Sequence, residues 1–552
     1  MWAKILLLFF VFSFLFRSDH SFDQDLGRHI KLGEIISQTS QIPKTNLFSY
    51  TNPDFPFINT HWLFEVIAYW FNQTVGLQAL LILKIMIFLI SVWLIIKIVP
   101  KENNSLLLPI GFIFLHVLRE RLEFRPEIFS FLFTAATYYI LEKYTRQTSS
   151  DRGTFVTKLI WSLPFIQLVW INTHIYFFVG LILQALFIIH MSYDYLRLHL
   201  KGVKLKILCI IFILSALVSL INPNGLTGLL YPLTVTNNYG YAIVENQTLF
   251  FLESIKFGDP NFLFVKIAWG IIVISLVITL IKRQFNIKNI LLSIFGFSLS
   301  LINVRSFPYL VFLSLPASLQ NFGSIKTNNI TKLIIIIFAV ILILESVNYL
   351  NGNYYKSSDS QYQVGPKLSE SAKSALDFVN MNDLPGPIFN NFDIGSYIIY
   401  RSYPRIKVFV DGRPEAYPKE FFPNVYIPIQ ADHAKFKQLE KQLGFQTIIF
   451  SHTDQTPWGS SFTSNIIKDP DWKLVFVDDF MVVFTKQKII TQKNLKELDL
   501  ANLNPQEYKF ENHVSYIRLG IFLLKTQNTK PAKLFFEKAA QIYPYSPILK
   551  PS

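Results

Sequence analysis

Long apolar runs alternate with short polar segments over the first 349 residues of the chain. About 20 apolar residues suffice to cross a bilayer as a helix, and shorter runs mark less secure crossings. The runs lie at 2–16, 76–97, 104–118, 127–142, 155–171, 175–193, 205–221, 262–281, 289–303, 308–320 and 331–349. The pattern predicts a polytopic α-helical membrane protein, with about eleven transmembrane helices in residues 1–349. The first run has no small-residue cleavage site, which predicts a retained signal anchor.

Lysine and arginine are concentrated in alternate connections between these runs, and cytoplasmic connections of membrane proteins are rich in both. The basic connections lie at 97–101, 143–158, 197–206, 282–288 and 326–332. This distribution predicts a cytoplasmic N-terminus in the plasma (inner) membrane. It places a first outer loop (residues 18–75), the 222–260 loop and everything after Tyr349 outside the cytoplasm.

The composition agrees with this class, since 51% of the residues are hydrophobic and only 16% are charged. The net charge of +14 comes from cations scattered between apolar runs, so a nucleic-acid partner is not expected. The single cysteine, Cys209, lies inside an apolar run, which excludes disulfides and CxxC metal sites as organising features.

The first outer loop carries the densest set of ionisable groups next to a membrane-length run. Asp23 and Asp25 are two residues apart and His29 follows closely, while His61 and Glu65 have the i, i+4 spacing of one helix face. Asp25, Asp23 and His29 are therefore candidate catalytic residues, and His61 and Glu65 are candidates for binding or supporting an acceptor. The alternative is a solvated acidic loop that only helps to set the topology.

A second charged cluster, residues 119–127, joins two apolar runs through a very short connection. Guanidinium groups bind phosphate in a bidentate manner and stay charged when partly desolvated, so Arg121 and Arg125 are candidate phosphate-binding residues. Arg305 lies at another short turn and is a third candidate, and Glu127 is a candidate supporting residue. The alternatives are intraloop ion pairs and side chains that snorkel to the interface.

Two further polar groups lie at the borders of apolar runs. His174 follows Asn172 and Thr173 between two runs, and Glu245 lies in the apolar and aromatic 222–260 loop. Polar groups at such positions are candidate functional residues, so both could support an acceptor site. A structural histidine and a solvated carboxylate are the alternatives.

The apolar pattern ends after Tyr349. Residues 350–370 are polar and predict a linker, and residues 371–490 predict an extracytoplasmic α/β domain. Strands are expected at 386–390, 407–410, 447–450 and 472–484, with a helix at 395–401.

Residues 496–552 predict a short helical tail. Its apolar positions follow the tetratricopeptide spacing, at Tyr516, Leu519, Gly520, Leu523, Ala532, Phe536, Ala539 and Pro544. One such hairpin cannot bury its own face, so it must pack on the α/β domain, a protein partner or a second copy.

Asp23-Gln24-Asp25 after the first apolar run, the arginine-rich turns and the C-terminal domain together resemble the GT-C superfamily of membrane glycosyltransferases, which includes oligosaccharyltransferases and protein O-mannosyltransferases. The resemblance implies transfer of a sugar from a polyprenyl-phosphate-linked donor to an acceptor at the outer face. It implies that the first-loop carboxylate acts on the acceptor, directly as a base or through a divalent cation, and that an outer arginine stabilises the leaving phosphate.

General chemistry requires the same two parts, a base near the acceptor and cations near the leaving phosphate. Asp23 or Asp25 can supply the base, and the three arginines can supply the cations. Another envelope polysaccharide polymerase or ligase, a secondary transporter and a non-catalytic membrane scaffold remain alternatives.

Overall fold

The apolar runs fold as helices in the computed structural model, which describes residues 2–100, 104–146, 158–198, 202–283, 285–323 and 328–550. A helix occupies part of each of the runs predicted above. The helices up to residue 350 are α1 (Trp2–Leu15), α2 (Gly27–Thr39), α3 (Trp62–Thr74), α4 (Leu77–Ile98), α5 (Asn104–Val117), α6 (Glu127–Arg146), α7 (Leu163–Ile171), α8 (Phe178–Leu198), α9 (Val203–Val218), α10 (Gly225–Leu230), α11 (Leu249–Ser254), α12 (Asn261–Ile281), α13 (Ile287–Ile302), α14 (Phe307–Phe322) and α15 (Asn329–Leu350).

Four helical segments of the described chain are long and apolar enough to cross a membrane. They are Leu77–Ile98, Ile175–Arg197, Asn261–Ile281 and Asn329–Leu350. Shorter apolar helices, such as α1 and α13, lie beside them. The protein is therefore a membrane protein, while the number of about eleven crossings stays a prediction.

The helices form one bundle around a continuous apolar core. The helix α1 packs against α4, α5 and α15, and α14 packs against α12 and α13. The helix α14 is buried along almost its whole length, whereas α15 exposes Leu344 and Ile336 on its outer side. The 18–75 segment and the C-terminal domain lie at one end of the bundle, called here the domain-bearing end.

The 18–75 segment is more ordered than the term loop suggests. A single π-helical turn, Phe22–Leu26, continues directly into α2, and α2 packs along α3. A Cβ at Gly33 would clash with the backbone carbonyl of Glu65, so glycine permits this close approach of the two helices. The segment also reaches the C-terminal domain, since Ser49 pairs with Val408 in an isolated β-bridge.

The C-terminal domain contains a four-stranded sheet in the order β1-β2-β4-β3. The strand β1 (Ile388–Asn390) runs parallel to β2 (Thr447–Ser451), with Ile388 opposite Thr447. The strand β4 (Met481–Lys486) is antiparallel to both β2 and β3 (Trp472–Val477).

Seven α-helices lie between residues 353 and 493, before, between and after the strands, as expected for an α/β domain. They are α16 (Asn353–Ser357), α17 (Lys373–Met381), α18 (Gly395–Ser402), α19 (Ile427–Ala431), α20 (His433–Leu443), α21 (Pro457–Ile466) and α22 (Gln487–Lys493). The expectation of a strand at 407–410 is wrong. Val408, Phe409 and Val410 are fully buried, but the segment makes only the single bridge to Ser49 and does not join the sheet.

The last two helices, α23 (His513–Lys525) and α24 (Thr529–Ile542), pack against each other as a hairpin. Its apolar face shares one core with the α/β domain, so the hairpin docks on that domain. The tetratricopeptide type and a protein partner for the hairpin stay predictions. Residues of the predicted linker are also docked, since Val364 pairs with Arg17 and Leu368 pairs with Asp19.

Candidate active site

The site is anchored by Asp19, which lies just after α1. Its buried carboxylate accepts hydrogen bonds from Lys84 Nζ at 2.7 Å, the Phe124 backbone N–H at 2.8 Å and the Ser21 hydroxyl at 2.6 Å. Burial alone would raise the pKa of Asp19, but the Lys84 ammonium and the hydrogen bonds hold it well below its usual range. This ionised carboxylate ties the start of the 18–75 segment to the 119–127 turn.

Sequence reasoning missed this anchor, although a signal for it exists. Lys84 lies inside the apolar run of α4, and an intramembrane lysine requires a counter-ion. Asp19 is the acid that lies nearest to the end of the first run.

Three arginines predicted to bind phosphate converge on one carboxylate, that of Glu245. Arg121 lies 2.5 Å and Arg125 2.6 Å from Glu245 Oε1, and Arg305 donates to Glu245 Oε2 at 3.0 Å. Arg121, Arg125 and Arg305 are called here the arginine cluster. Two turns of the bundle, at 118–126 and 303–306, supply its members.

The carboxylate at the centre of this cluster is held in its charged form. Burial would raise the pKa of Glu245, but the three guanidinium groups hold it well below its usual range. Glu127, at the start of α6, accepts two hydrogen bonds from Arg121 at 2.7 and 2.8 Å. Glu127 therefore orients Arg121, as a supporting residue would.

Asp25 lies at the edge of the arginine cluster. Its carboxylate is 3.4 Å from Arg125 Nε and 3.3 Å from Arg28, and 23% of its side chain is exposed. The C-terminal domain lies close to Asp25, since a Cβ atom added at Gly412 would lie 3.6 Å from an Asp25 carboxylate oxygen. Gln24 adds a hydrogen bond from Arg125 at 2.9 Å.

Asp23 points elsewhere. Its buried carboxylate accepts hydrogen bonds from the backbone N–H groups of Ser371 and Ala372 at 3.0 and 3.3 Å. Burial raises the pKa of Asp23 to about 7, although these hydrogen bonds act in the opposite direction. Asp23 thus faces the C-terminal domain while Asp25 faces the arginine cluster.

The predicted histidines form a separate buried group. His29 Nδ1 lies 3.0 Å from Glu65 Oε1, and Asn59 donates to the other Glu65 oxygen at 2.6 Å. The His61 ring lies between His29 and His174, at centroid distances of 5.7 and 5.5 Å. The sequence grouped His29 with Asp23 and Asp25, but in the structure His29 contacts Glu65.

Burial disfavours the protonated form of the histidines in this group and lowers the pKa of each. Burial lowers the pKa of His61 to about 3 and holds that of His29 well below its usual range. Burial also raises the pKa of Glu65 to about 7. His174 lies 2.7 Å from the Ser130 hydroxyl, which also accepts from the Trp170 indole.

A cavity of about 170 Å³ lies beside Glu245 and is lined by Gln24, Arg121 and Arg125, among others. In the described part of the chain, no three His, Cys, Asp or Glu side chains come together as a metal-binding cluster. The divalent cation implied by the resemblance therefore stays a prediction, and Asp25 is the carboxylate it would engage.

No known family model and no curated protein sequence matches the chain. Among solved structures, the archaeal oligosaccharyltransferase AglB from Archaeoglobus fulgidus, in complex with an inhibitory peptide and a dolichol-phosphate, is similar with a TM-score of 0.56 and 10% identity. The match covers 98% of this chain and 86% of that one.

The apo form of an oligosaccharyltransferase from the same organism has a TM-score of 0.53 at 11% identity, covering 84% of this chain and 71% of that one. ArnT from Cupriavidus metallidurans, bound to undecaprenyl phosphate, has a TM-score of 0.43 at 12% identity, covering 87% and 96%. The two oligosaccharyltransferase structures, with TM-scores above 0.5, show that this chain shares their fold, and this confirms the predicted resemblance at the level of architecture.

Proposed function

We propose that this protein is a membrane glycosyltransferase that transfers a sugar from a polyprenyl-phosphate-linked donor to an acceptor at the outer face of the plasma membrane. The domain-bearing end of the bundle would then lie outside the cytoplasm. The fold shared with an oligosaccharyltransferase that binds a dolichol-phosphate supports the class of reaction.

The observation that carries the proposal is the convergence of the arginine cluster on one anionic group. The Glu245 carboxylate receives guanidinium groups on both of its oxygens. A phosphate offers guanidinium groups the same kind of acceptor oxygens, and arginine pairs with both anions in bidentate geometry. A donor phosphate would exchange with Glu245 at this position.

The neighbouring Asp25 supplies the second part that the reaction needs. In the transfer step, an acceptor oxygen or nitrogen forms a bond to C1 of the sugar, and the bond between C1 and the phosphate oxygen breaks. The bonding electrons leave with the phosphate, whose growing charge the arginine cluster stabilises. The acceptor proton passes to Asp25, which lies only 3.4 Å from Arg125.

The proposal is tested by following labelled sugar from polyprenyl-phosphate donors to acceptors in membranes that contain the protein. Transfer should occur with the wild type and should fall at least about 10-fold with Arg125→Gln, because one charged hydrogen bond is worth about 1.5–3 kcal/mol. Arg197→Gln is the matched control, since Arg197 is exposed at the far end of α8. Absence of transfer by the wild type with every donor, or equal transfer by both variants, would contradict the proposal.

The proposed orientation has its own test. A reporter that is active only outside the cytoplasm should be active when fused after Leu376 and inactive when fused near Lys204. An active fusion near Lys204 would invert the assignment of the two faces.

A further inference from the structure

A second polar cavity lies at the domain-bearing end, where four bundle helices begin or end. Its volume is about 460 Å³. Arg17 follows α1, Arg119 follows α5, Asn261 begins α12 and Tyr349 lies in the last turn of α15. The cavity therefore lies at the level where the apolar helices leave the bilayer.

The lining combines two guanidinium groups with tyrosine rings. The Arg17 guanidinium stacks 3.7 Å from the centroid of the Tyr362 ring, and Arg119 lies 4.8 Å from that of Tyr354. The nearest acid to Arg17 is Glu123 at 3.7 Å, which is longer than a charged hydrogen bond. The Arg17 side chain is thus held in place by stacking on Tyr362, and its contact with the Glu123 carboxylate is weak.

Two buried hydrogen-bond donors on this lining have no acceptor among the residues that the structure describes. They are Nε of Arg17 and the hydroxyl of Tyr355, whose side chain is only 3% exposed. A buried donor without an acceptor is destabilising, so two such donors on one cavity indicate a ligand that supplies acceptor oxygens.

The acids on the cavity restrict the charge of that ligand. Glu123 is occupied, since it accepts from Tyr362 at 2.7 Å and from the His20 backbone N–H at 2.9 Å. Asp259, which also lines the cavity, accepts a hydrogen bond from the Asn261 backbone N–H at 2.7 Å through Oδ1. A ligand with one phosphate and one ammonium group satisfies both the arginines and Asp259.

We propose that this cavity binds the headgroup of a bilayer phospholipid that carries a phosphodiester and an ammonium group, such as phosphatidylethanolamine. The phosphate oxygens accept from Arg17 and Tyr355, the ammonium group pairs with Asp259, and the acyl chains lie along the apolar helices. No member of the arginine cluster lines this cavity, although Glu123 and Tyr362 border both cavities, and the inference does not depend on the proposed transfer reaction.

The experiment is native mass spectrometry of the full chain, purified from membranes that contain both phosphatidylethanolamine and phosphatidylglycerol. The wild type should retain phosphatidylethanolamine, and both Arg17→Gln and Tyr355→Phe should lower the retained fraction about 10-fold. Tyr355→Phe removes one oxygen that has no protein partner, so it keeps the fold intact. The exposed Arg197→Gln variant should retain lipid like the wild type.

Three results would overturn the inference. They are unchanged lipid retention in both variants, retention of phosphatidylglycerol in place of phosphatidylethanolamine, and displacement of the lipid by inorganic phosphate or a short isoprenyl phosphate at equal concentration. Sugar transfer is measured in parallel and should be unchanged by Tyr355→Phe. A failure of lipid binding is therefore distinguishable from a failure of the proposed function.

Discussion

Asp25→Asn and Asp23→Asn are expected to change different properties of the protein. The first should lower sugar transfer, and the second should lower stability. Asp25→Asn removes the charge and basicity of the group beside the arginine cluster and should lower sugar transfer by about 10²–10⁴-fold. Asp23→Asn changes a carboxylate that faces the C-terminal domain, so it should lower transfer less than about 10-fold and should instead destabilise the protein.

The contacts of the two carboxylates set these magnitudes. The ion pairs of Asp25 are 3.3 and 3.4 Å long and partly exposed, and such pairs contribute about 0–1 kcal/mol to stability. A loss of transfer in Asp25→Asn would therefore come from loss of the base and not from unfolding of the protein. Asp23 accepts two buried backbone N–H groups, and asparagine can accept only one of them. The orphaned N–H should cost about 1–3 kcal/mol, which lowers the midpoint of thermal unfolding.

The assay measures sugar transfer and thermal stability in the same protein preparations. Initial rates of labelled-sugar transfer are measured at saturating donor, and thermal unfolding is measured on the same purified protein. Glu34→Gln serves as a control for removal of a carboxylate from the same segment, since Glu34 hydrogen-bonds with the nearby Lys31 and Gln38 of its own helix. Wild-type transfer by a folded Asp25→Asn protein would refute the assignment of the base, as would equal loss of transfer in Asp23→Asn with unchanged stability.

Three other changes test the surroundings of the site. Arg305→Ala should weaken donor binding by about 10- to 100-fold, which is the equivalent of one charged hydrogen bond. Arg197→Ala should leave donor binding unchanged. Equal donor affinities of the two variants, measured by titration, would contradict a phosphate role for Arg305. Burial lowers the pKa of His61, so between that pKa and about 6.5 the unfolded chain binds a proton on His61 that the folded protein does not bind. The free energy of unfolding therefore falls as the pH drops below about 6.5. His61→Gln should therefore make the slope of unfolding free energy against pH between 6 and 4 shallower by up to about 1.4 kcal/mol per pH unit, and an unchanged slope would show that His61 is protonated in the fold. Lys84→Met leaves a buried carboxylate unpaired and should destabilise the protein by about 3–5 kcal/mol, whereas the exposed Lys97→Met should change stability little; similar unfolding midpoints would refute the anchor.

The position of the two first-segment carboxylates shows how far local reasoning reaches. Residues two apart on a helical turn point in different directions, so the sequence predicts that Asp23 and Asp25 differ. The structure confirms the difference in direction. It also shows that His29, the third catalytic candidate of this segment, contacts Glu65.

The sequence by itself determined the features that depend on neighbouring residues. Apolar length predicts the bundle helices, and alternation with polar turns predicts β1, β2 and the helix at 395–401, because hydrogen bonding within a helix and side-chain burial follow local periodicity. The residue types at the short turns also marked Arg121, Arg125 and Arg305 as candidate phosphate-binding residues, because guanidinium groups stay charged when partly desolvated. Their phosphate role stays a prediction.

Only the tertiary structure decided which of these groups meet. Arg305 and Arg121 come from distant turns, and packing of α14 among its neighbours brings both to Glu245. The partnership of Asp19 with Lys84 depends in the same way on how α1 crosses α4. Such contacts arise from the packing of whole helices and from the requirement that every buried charge finds a partner, and neither condition is written in the spacing of residues along the chain.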